Sequence, residues 1–205
     1  MSFTLQVDAV RWRENADAVR DKVRAAVRGD GPAELGDLVP VAKGNGYGLG
    51  NQRLAREAAR LGVDVLAVGT VHEVDQVAAG FGGDILVLTP VEPADTVAAA
   101  AWDRVEASGH GARVVRTVAS PAGLAVVVGA ARDGTARQVV LEGLTSIGRF
   151  GLTPQELTAA LSEPSTVAAL DDGRLVLVGL ALHLPLTQPS EEHRAVPGAR
   201  WHDTV

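Results

Sequence analysis

The sequence predicts an α/β fold on parallel strands, an incomplete (β/α)8 barrel of the TIM type holding about six of its eight strand–helix units. Three observations lead there. Short, near-continuous apolar runs recur along the chain, as expected of parallel strands covered on both faces. Segments with apolar residues at helical spacing alternate with them. A polar residue stands at the end of each run, at Lys43, Thr70, Thr89, Thr117, Glu142 and His183, and in a barrel the C-terminal strand ends surround one pocket. A doubly wound sheet is the other arrangement these units allow. Against it, no Gly-x-Gly-x-x-Gly follows the first strand with an acidic residue suitably placed.

In chain order, residues 3–7 read as a short β-like entry and Asp8 as the cap of a helix over 9–27, where Val10, Ala16, Val19, Val23 and Val27 keep helical spacing. Gly29, Gly31 and Pro32 stop it. The strand 38–42 leads into a glycine-rich turn, and a helix over 51–61 presents Leu54, Ala55, Ala58 and Leu61 on one face before Gly62 closes it. Strands are then expected at 63–68, 84–88, 113–118, from 138 to 141, and at 174–182. The helices between them are expected at 71–79, 93–102 and 121–131, with a further helix starting at Thr153-Pro154-Gln155-Glu156, proline at its first position. Nothing after Leu186 reads as a seventh or eighth strand, so residues 1–186 are expected to form the partial barrel and 187–205 a polar tail.

With 205 residues, 46% of them apolar, the chain can bury a core as one domain. Aromatics make up 3%, which favours tightly packed helices and strands over an aromatic-rich sandwich. The net charge of −6 is spread along the chain, which argues against nucleic acid as a partner. The lack of cysteine removes a disulfide framework, thiol catalysis and Cys-ligated metal, and no metal site is expected. No apolar run reaches the roughly 18 residues of a membrane span, and the first residues do not form a signal peptide. A soluble cytoplasmic protein is expected.

Two stretches carry the chemistry. In Val41-Ala42-Lys43-Gly44-Asn45-Gly46-Tyr47-Gly48-Leu49-Gly50 an apolar run ends in a lysine and enters alternating glycines. The chain has 17 arginines and two lysines, Lys22 and Lys43, so a lysine at a strand end stands out. An amine can deprotonate and add to a carbonyl; a guanidinium cannot. A lysine snorkelling from the strand end is the plain alternative. A phosphate cradle is the third reading, but the lysine precedes the glycines and no Gly-Lys-Ser/Thr follows. In Leu141-Glu142-Gly143-Leu144-Thr145-Ser146-Ile147-Gly148-Arg149-Phe150-Gly151 a carboxylate leaves a strand and a Gly-Arg-x-Gly turn follows. Arg149 is expected beside the pocket, paired with Glu142 and aimed at an anionic oxygen; a solvated loop arginine is the plain alternative. His183, alone, would read as an ordinary rim histidine.

Together these stretches resemble the N-terminal barrel domain of the alanine racemase family, which depends on pyridoxal 5′-phosphate. Lys43 to Gly50 resembles the family's Lys-Ala-x-Ala-Tyr-Gly-His-Gly, and Thr145 to Gly151 its Thr-Gly-Met-Gly-Arg-x-Gly; His183 falls where the family has a histidine after the sixth strand. The resemblance implies that Lys43 holds the cofactor as a Schiff base and serves as one proton-transfer base, that Tyr47 contacts the phosphate, Arg149 the phenolic oxygen and His183 the pyridine ring. Glu142 stands where the family often has a carbamylated lysine and would supply the same negative charge. Ser146 replaces a glycine and Leu49 a histidine.

An alanine-like amino acid is the implied substrate, and a homo-oligomer the implied partner state. The family's last two strands and C-terminal β domain carry further phosphate groups, an arginine for the pyridine nitrogen and a second base, a tyrosine; none of these is matched within the 205 residues. Two functions follow as expectations: a racemase-type domain, or a truncated, non-catalytic barrel that binds the cofactor weakly or serves as an interaction module. A cofactor-carrier protein of related fold fits less well, because its lysine lacks this glycine–tyrosine turn.

Overall fold

The computed structural model describes residues 6–27, 37–131 and 135–184. The expected strand entry at 3–7 falls largely outside them, as do the helix stop at 29–32 and the tail 187–205. Asp8 caps the first helix as expected, its carboxylate accepting from the N–H groups of Val10 and Arg11 at 3.0 and 3.2 Å. Helix α1 (Ala9–Val27) follows over the expected residues.

Arg20 on α1 reaches Asp37 at 2.7 Å and also the carbonyl of Gly62 at 2.6 Å, while Arg24 meets the same carboxylate at 2.7 Å. Hydrogen bonds from Arg20, then Arg24, hold the Asp37 carboxyl well below the usual carboxylate range. A depressed carboxylate stabilises the fold fully above its unfolded pKa of about 3.9, and that contribution is lost as pH falls through the folded value. Asp37→Asn should therefore cost about 1 kcal/mol at pH 7, a figure discounted for partial solvent screening. Urea unfolding from pH 7 to pH 2 should show the gap from wild type closing below about pH 4; a gap that persists in acid would refute the linkage.

The expected strand at 38–42 is reduced to a single parallel bridge, Val41 to Ala67. The Ala42 N–H donates to Ala67 O and the Ala67 N–H to Pro40 O, both at 2.8 Å. Pro40 has no N–H to lengthen the ladder, and the chain turns left-handed from Gly44. Strands β1 (Val65–Val68), β2 (Asp84–Val87), β3 (Val114–Val118), β4 (Arg137–Gly143) and β5 (Leu175–Leu182) lie close to the expected positions. They form one sheet in the order β1-β2-β3-β4-β5, every pair parallel. Sequential order has no reversal point, which excludes the doubly wound arrangement and leaves an open arc of a barrel.

The connecting helices are α2 (Asn51–Leu61), α3 (Val74–Ala78), α4 (Thr96–Ala107), α5 (Pro121–Ala130), α6 (Pro154–Ser162) and α7 (Pro164–Asp171). Helix α4 starts later than expected because the Asp95 side chain caps it, accepting from Ala98 N–H at 2.8 Å. Thr153 and Glu156 form a reciprocal capping box at α6, with bonds of 2.8 and 3.2 Å. The single helix expected there is two, because Glu163 precedes Pro164 and adopts extended dihedrals (φ −62°, ψ 127°).

One face of the sheet buries Leu66, Val68, Ile85, Val87, Val114, Val118, Val139 and Leu141 against these helices, in two apolar clusters. Between the clusters Arg116 is buried beneath Trp102, 4.7 Å from the ring centroid, and paired with Glu106, which also holds Arg137 at 2.6 Å. Burial pushes the Arg116 guanidinium down to about 10. Among the described residues, no helix is long and apolar enough to cross a membrane.

Candidate functional site

Because all strands are parallel, Lys43, Thr70, Thr89 and His183 follow strand ends at one end of the sheet, and Glu142 is the last residue but one of β4. Thr117, the last residue but one of β3, is buried, and its hydroxyl donates to Val87 O at 2.7 Å.

Lys43 is exposed at the mouth of the turn. Its stem crosses Gly69 at the end of β1: a Cβ on Gly69 would sit 3.1 Å from Lys43 Cβ and 2.8 Å from Glu73 Oε2. After Lys43, four residues in succession, Gly44, Asn45, Gly46 and Tyr47, hold φ between 54° and 56°. A left-handed run of this kind costs roughly 1–2 kcal/mol at each non-glycine residue, so it persists only where the surroundings impose it. At Gly46 a Cβ would meet Leu54 Cδ1 at 2.3 Å, so the Leu54 side chain would have to move to admit one. The turn throws Tyr47 fully into solvent, 100% exposed.

The surroundings that impose this turn converge on Glu73. Its Oε1 accepts from Gly44 N–H at 2.7 Å and Asn51 Nδ2 at 3.4 Å. Its Oε2 accepts from Gly69 N–H at 2.8 Å and Thr70 N–H at 3.0 Å. Sequence reasoning missed this residue, although Thr70-x-x-Glu73 is a capping-box pattern that could have revealed it.

Glu142 is 4% exposed and, by strand alternation with Leu141, faces away from the helices. Its Oε1 lies 3.3 Å from His183 Nδ1. The expected pairing of Glu142 with Arg149 is therefore corrected: the carboxylate's partner is His183, and Arg149 lies in the following loop, exposed, 5.1 Å from the Phe150 ring centroid. The loop makes that separation. It folds back so that Leu152 N–H donates to Glu142 O at 2.7 Å and Leu144 N–H to Leu152 O at 2.8 Å. The segment carrying Arg149 is thus looped out between these two bonds, with residues 146–150 exposed.

A bulge brings His183 to Glu142. The β4–β5 register shifts between Val139 and Val140, which pair with Leu177 and Gly179, so Val178 is an extra residue. With Leu175 facing the helices, strict alternation would turn residue 183 toward them as well. The extra residue reverses the parity, so Leu180 and Leu182 face the helices and His183 the opposite side. Gly179 within an apolar strand was the sequence signal for it. Thr145 completes the corner, its hydroxyl donating to the His183 carbonyl.

The family profile of the alanine racemase N-terminal domain matches residues 7–199. The chain belongs to that family. The alanine racemase of Levilactobacillus brevis is 33% identical over 179 residues, covering 80% of this chain and 42% of that enzyme. Alanine racemase from the D-cycloserine-producing Streptomyces lavendulae superposes with a TM-score of 0.70 at 25% identity, covering 94% of this chain and 45% of that one. The Bartonella henselae alanine racemase with covalently bound pyridoxal phosphate superposes with a TM-score of 0.63 at 18% identity, covering 82% and 44%. The chain spans less than half the length of these alanine racemases.

Proposed function

We propose that this chain is a pyridoxal-phosphate-binding domain of alanine racemase type, in which Lys43 holds the cofactor and serves as one of the proton-transfer bases for an alanine-like amino acid. What supports the reading most is Lys43 itself: an exposed amine on a stem packed over Gly69, at the end of the sheet shared by Glu142 and His183.

The donor set suits the cofactor. Lys43 offers an amine to an aldehyde, Tyr47 and Arg149 offer exposed donors to anionic oxygens, and Glu142 holds a histidine for the ring. The turn leaves room, since no heavy atom lies within 4 Å of a Cβ position on Gly44 or Gly48. When bound, the cofactor supplies a conjugated ring that takes up the electron pair left as the substrate Cα loses its proton. Lys43 Nζ is the group that carries that proton. Glu142, bonded to Nδ1, sets the plane and tautomer of His183 and leaves Nε2 free for the ring. The Arg149 guanidinium binds an anionic oxygen by charge-assisted hydrogen bonds.

Titration of the purified chain with pyridoxal phosphate should raise an absorbance band near ~420 nm that borohydride removes, with the label on Lys43. No band, or a label spread over both lysines, would reject the proposal.

A second reading, a barrel that binds partners without turnover, is favoured by the edge strand β5, where Val176, Leu177 and Val178 are all exposed. The same titration separates the two, because an interaction module has no need of a selective lysine.

A further inference from the structure

We propose that Glu73 is the positioning residue for Lys43, resting on the reading of Lys43 as the cofactor lysine. Glu73 holds the Lys43 amine in place by clasping the peptide that follows it to the end of β1.

The argument is geometric. The backbone before Lys43 is fixed by the ladder from Ala42 and Pro40 to Ala67. The backbone after it turns left-handed and has no ladder. Its first amide, Gly44 N–H, goes to Glu73 Oε1 at 2.7 Å. The other carboxylate oxygen is anchored on Gly69 and Thr70 at 2.8 and 3.0 Å. One carboxylate thus ties the loop that carries Lys43 to the β1 end over which its stem passes, and Asn51 Nδ2 adds the start of α2. Asn51 is itself buried and held by Gln76 Oε1 at 3.0 Å, so the clasp has a rigid base. Carboxylate bonds to backbone N–H groups are charge-assisted and short. Here they replace the ladder that the left-handed turn from Gly44 interrupts. Glu73 touches neither substrate nor cofactor in this role; it decides where Nζ can reach. Gly69 belongs to the same device, because any Cβ there would press on both Glu73 Oε2 and Lys43 Cβ.

The test has one cofactor-free arm and one cofactor arm. In amide hydrogen exchange, Glu73→Ala should lower the protection of Gly44 by about 10- to 100-fold, the loss expected for a charge-assisted bond, while Leu141 in β4 keeps wild-type protection. In borohydride trapping with pyridoxal phosphate, the Lys43 to Lys22 labelling ratio should fall by about tenfold or more, as a misplaced group does. Glu73→Gln, which keeps one acceptor oxygen but turns an NH2 group toward the remaining donors, should fall between wild type and Glu73→Ala in both arms. Gly69→Ala should lower the labelling ratio independently.

Unchanged Gly44 protection in Glu73→Ala, or an unchanged labelling ratio in both Glu73→Ala and Gly69→Ala, overturns the proposal. So does loss of Leu141 protection in both Glu73 variants, which would make Glu73 a general structural residue. If the wild-type chain shows no preference for Lys43 over Lys22, the cofactor reading fails on its own, whatever the exchange arm shows.

Discussion

Lys43→Ala should reduce the borohydride-fixed pyridoxal phosphate adduct to background, whereas Lys22→Ala should leave it at the wild-type level. The two lysines are the only ones in the chain, both are exposed, and exposure alone cannot rank them. Their settings can. Lys22 sits exposed on α1, with Ala18, Val19, Ala25 and Ala26 as its helical neighbours. Lys43 follows Ala42, whose N–H is bonded to Ala67 O, its stem lies against Gly69, and its next peptide is held by Glu73. A pre-placed amine forgoes the entropy of being brought to the aldehyde. Lys43→Arg keeps the charge but cannot add to a carbonyl, so it should fail as Lys43→Ala does. Peptide mapping of the reduced adduct reads the result, and a label found mainly at Lys22 would end the assignment.

Gly151→Ala should destabilise the fold by about 3 kcal/mol or more, against about 1 kcal/mol for Gly148→Ala. Both glycines belong to the Gly-Arg-x-Gly turn and both have positive φ, +132° and +64°. They differ in what surrounds them. A Cβ on Gly148 meets nothing within 4 Å, so only backbone strain is added. A Cβ on Gly151 would lie 2.4 Å from Leu144 N and 2.5 Å from Gly143 C, which are backbone atoms that cannot rotate away. The loop would have to open, and with it the bonds between Leu152 and Glu142 and between Leu144 and Leu152, at 2.7 and 2.8 Å. Urea unfolding of the two variants measures the contrast, with the slope m checked for constancy. Equal losses would mean that the fold-back of this loop contributes little to stability. Because the Glu142 carbonyl holds Leu152 of this loop, Gly151→Ala should also weaken the alignment of Glu142 with His183.

The sequence by itself determined the parallel architecture, because apolar runs and helical repeats express burial on two faces, and burial is a local property of composition. It also determined the starts of α1 and α6, where Asp8 and Thr153 bond to amides two or three residues on, and the stop of α2, where Gly62 takes the left-handed conformation (φ +70°). The two informative stretches were legible for the same reason: Lys43 and Glu142 end apolar runs, and the glycines after them mark turns.

What joins those stretches was decided only in three dimensions. Whether Glu142 meets Arg149 or His183 depends on a loop that folds back through Leu152 and on one extra residue in β5, and a one-residue slip in a strand exchanges its two faces. The choice of barrel over doubly wound sheet needed the strand order, since the same alternating units can be wound either way. The shortening of the first strand came from Pro40 competing with a strong apolar pattern. Glu73 acts across 29 residues on Gly44, a contact that no local spacing encodes. Side-chain chemistry could be read along the chain, but which groups share a site depended on register and chain reversal, which tertiary packing sets.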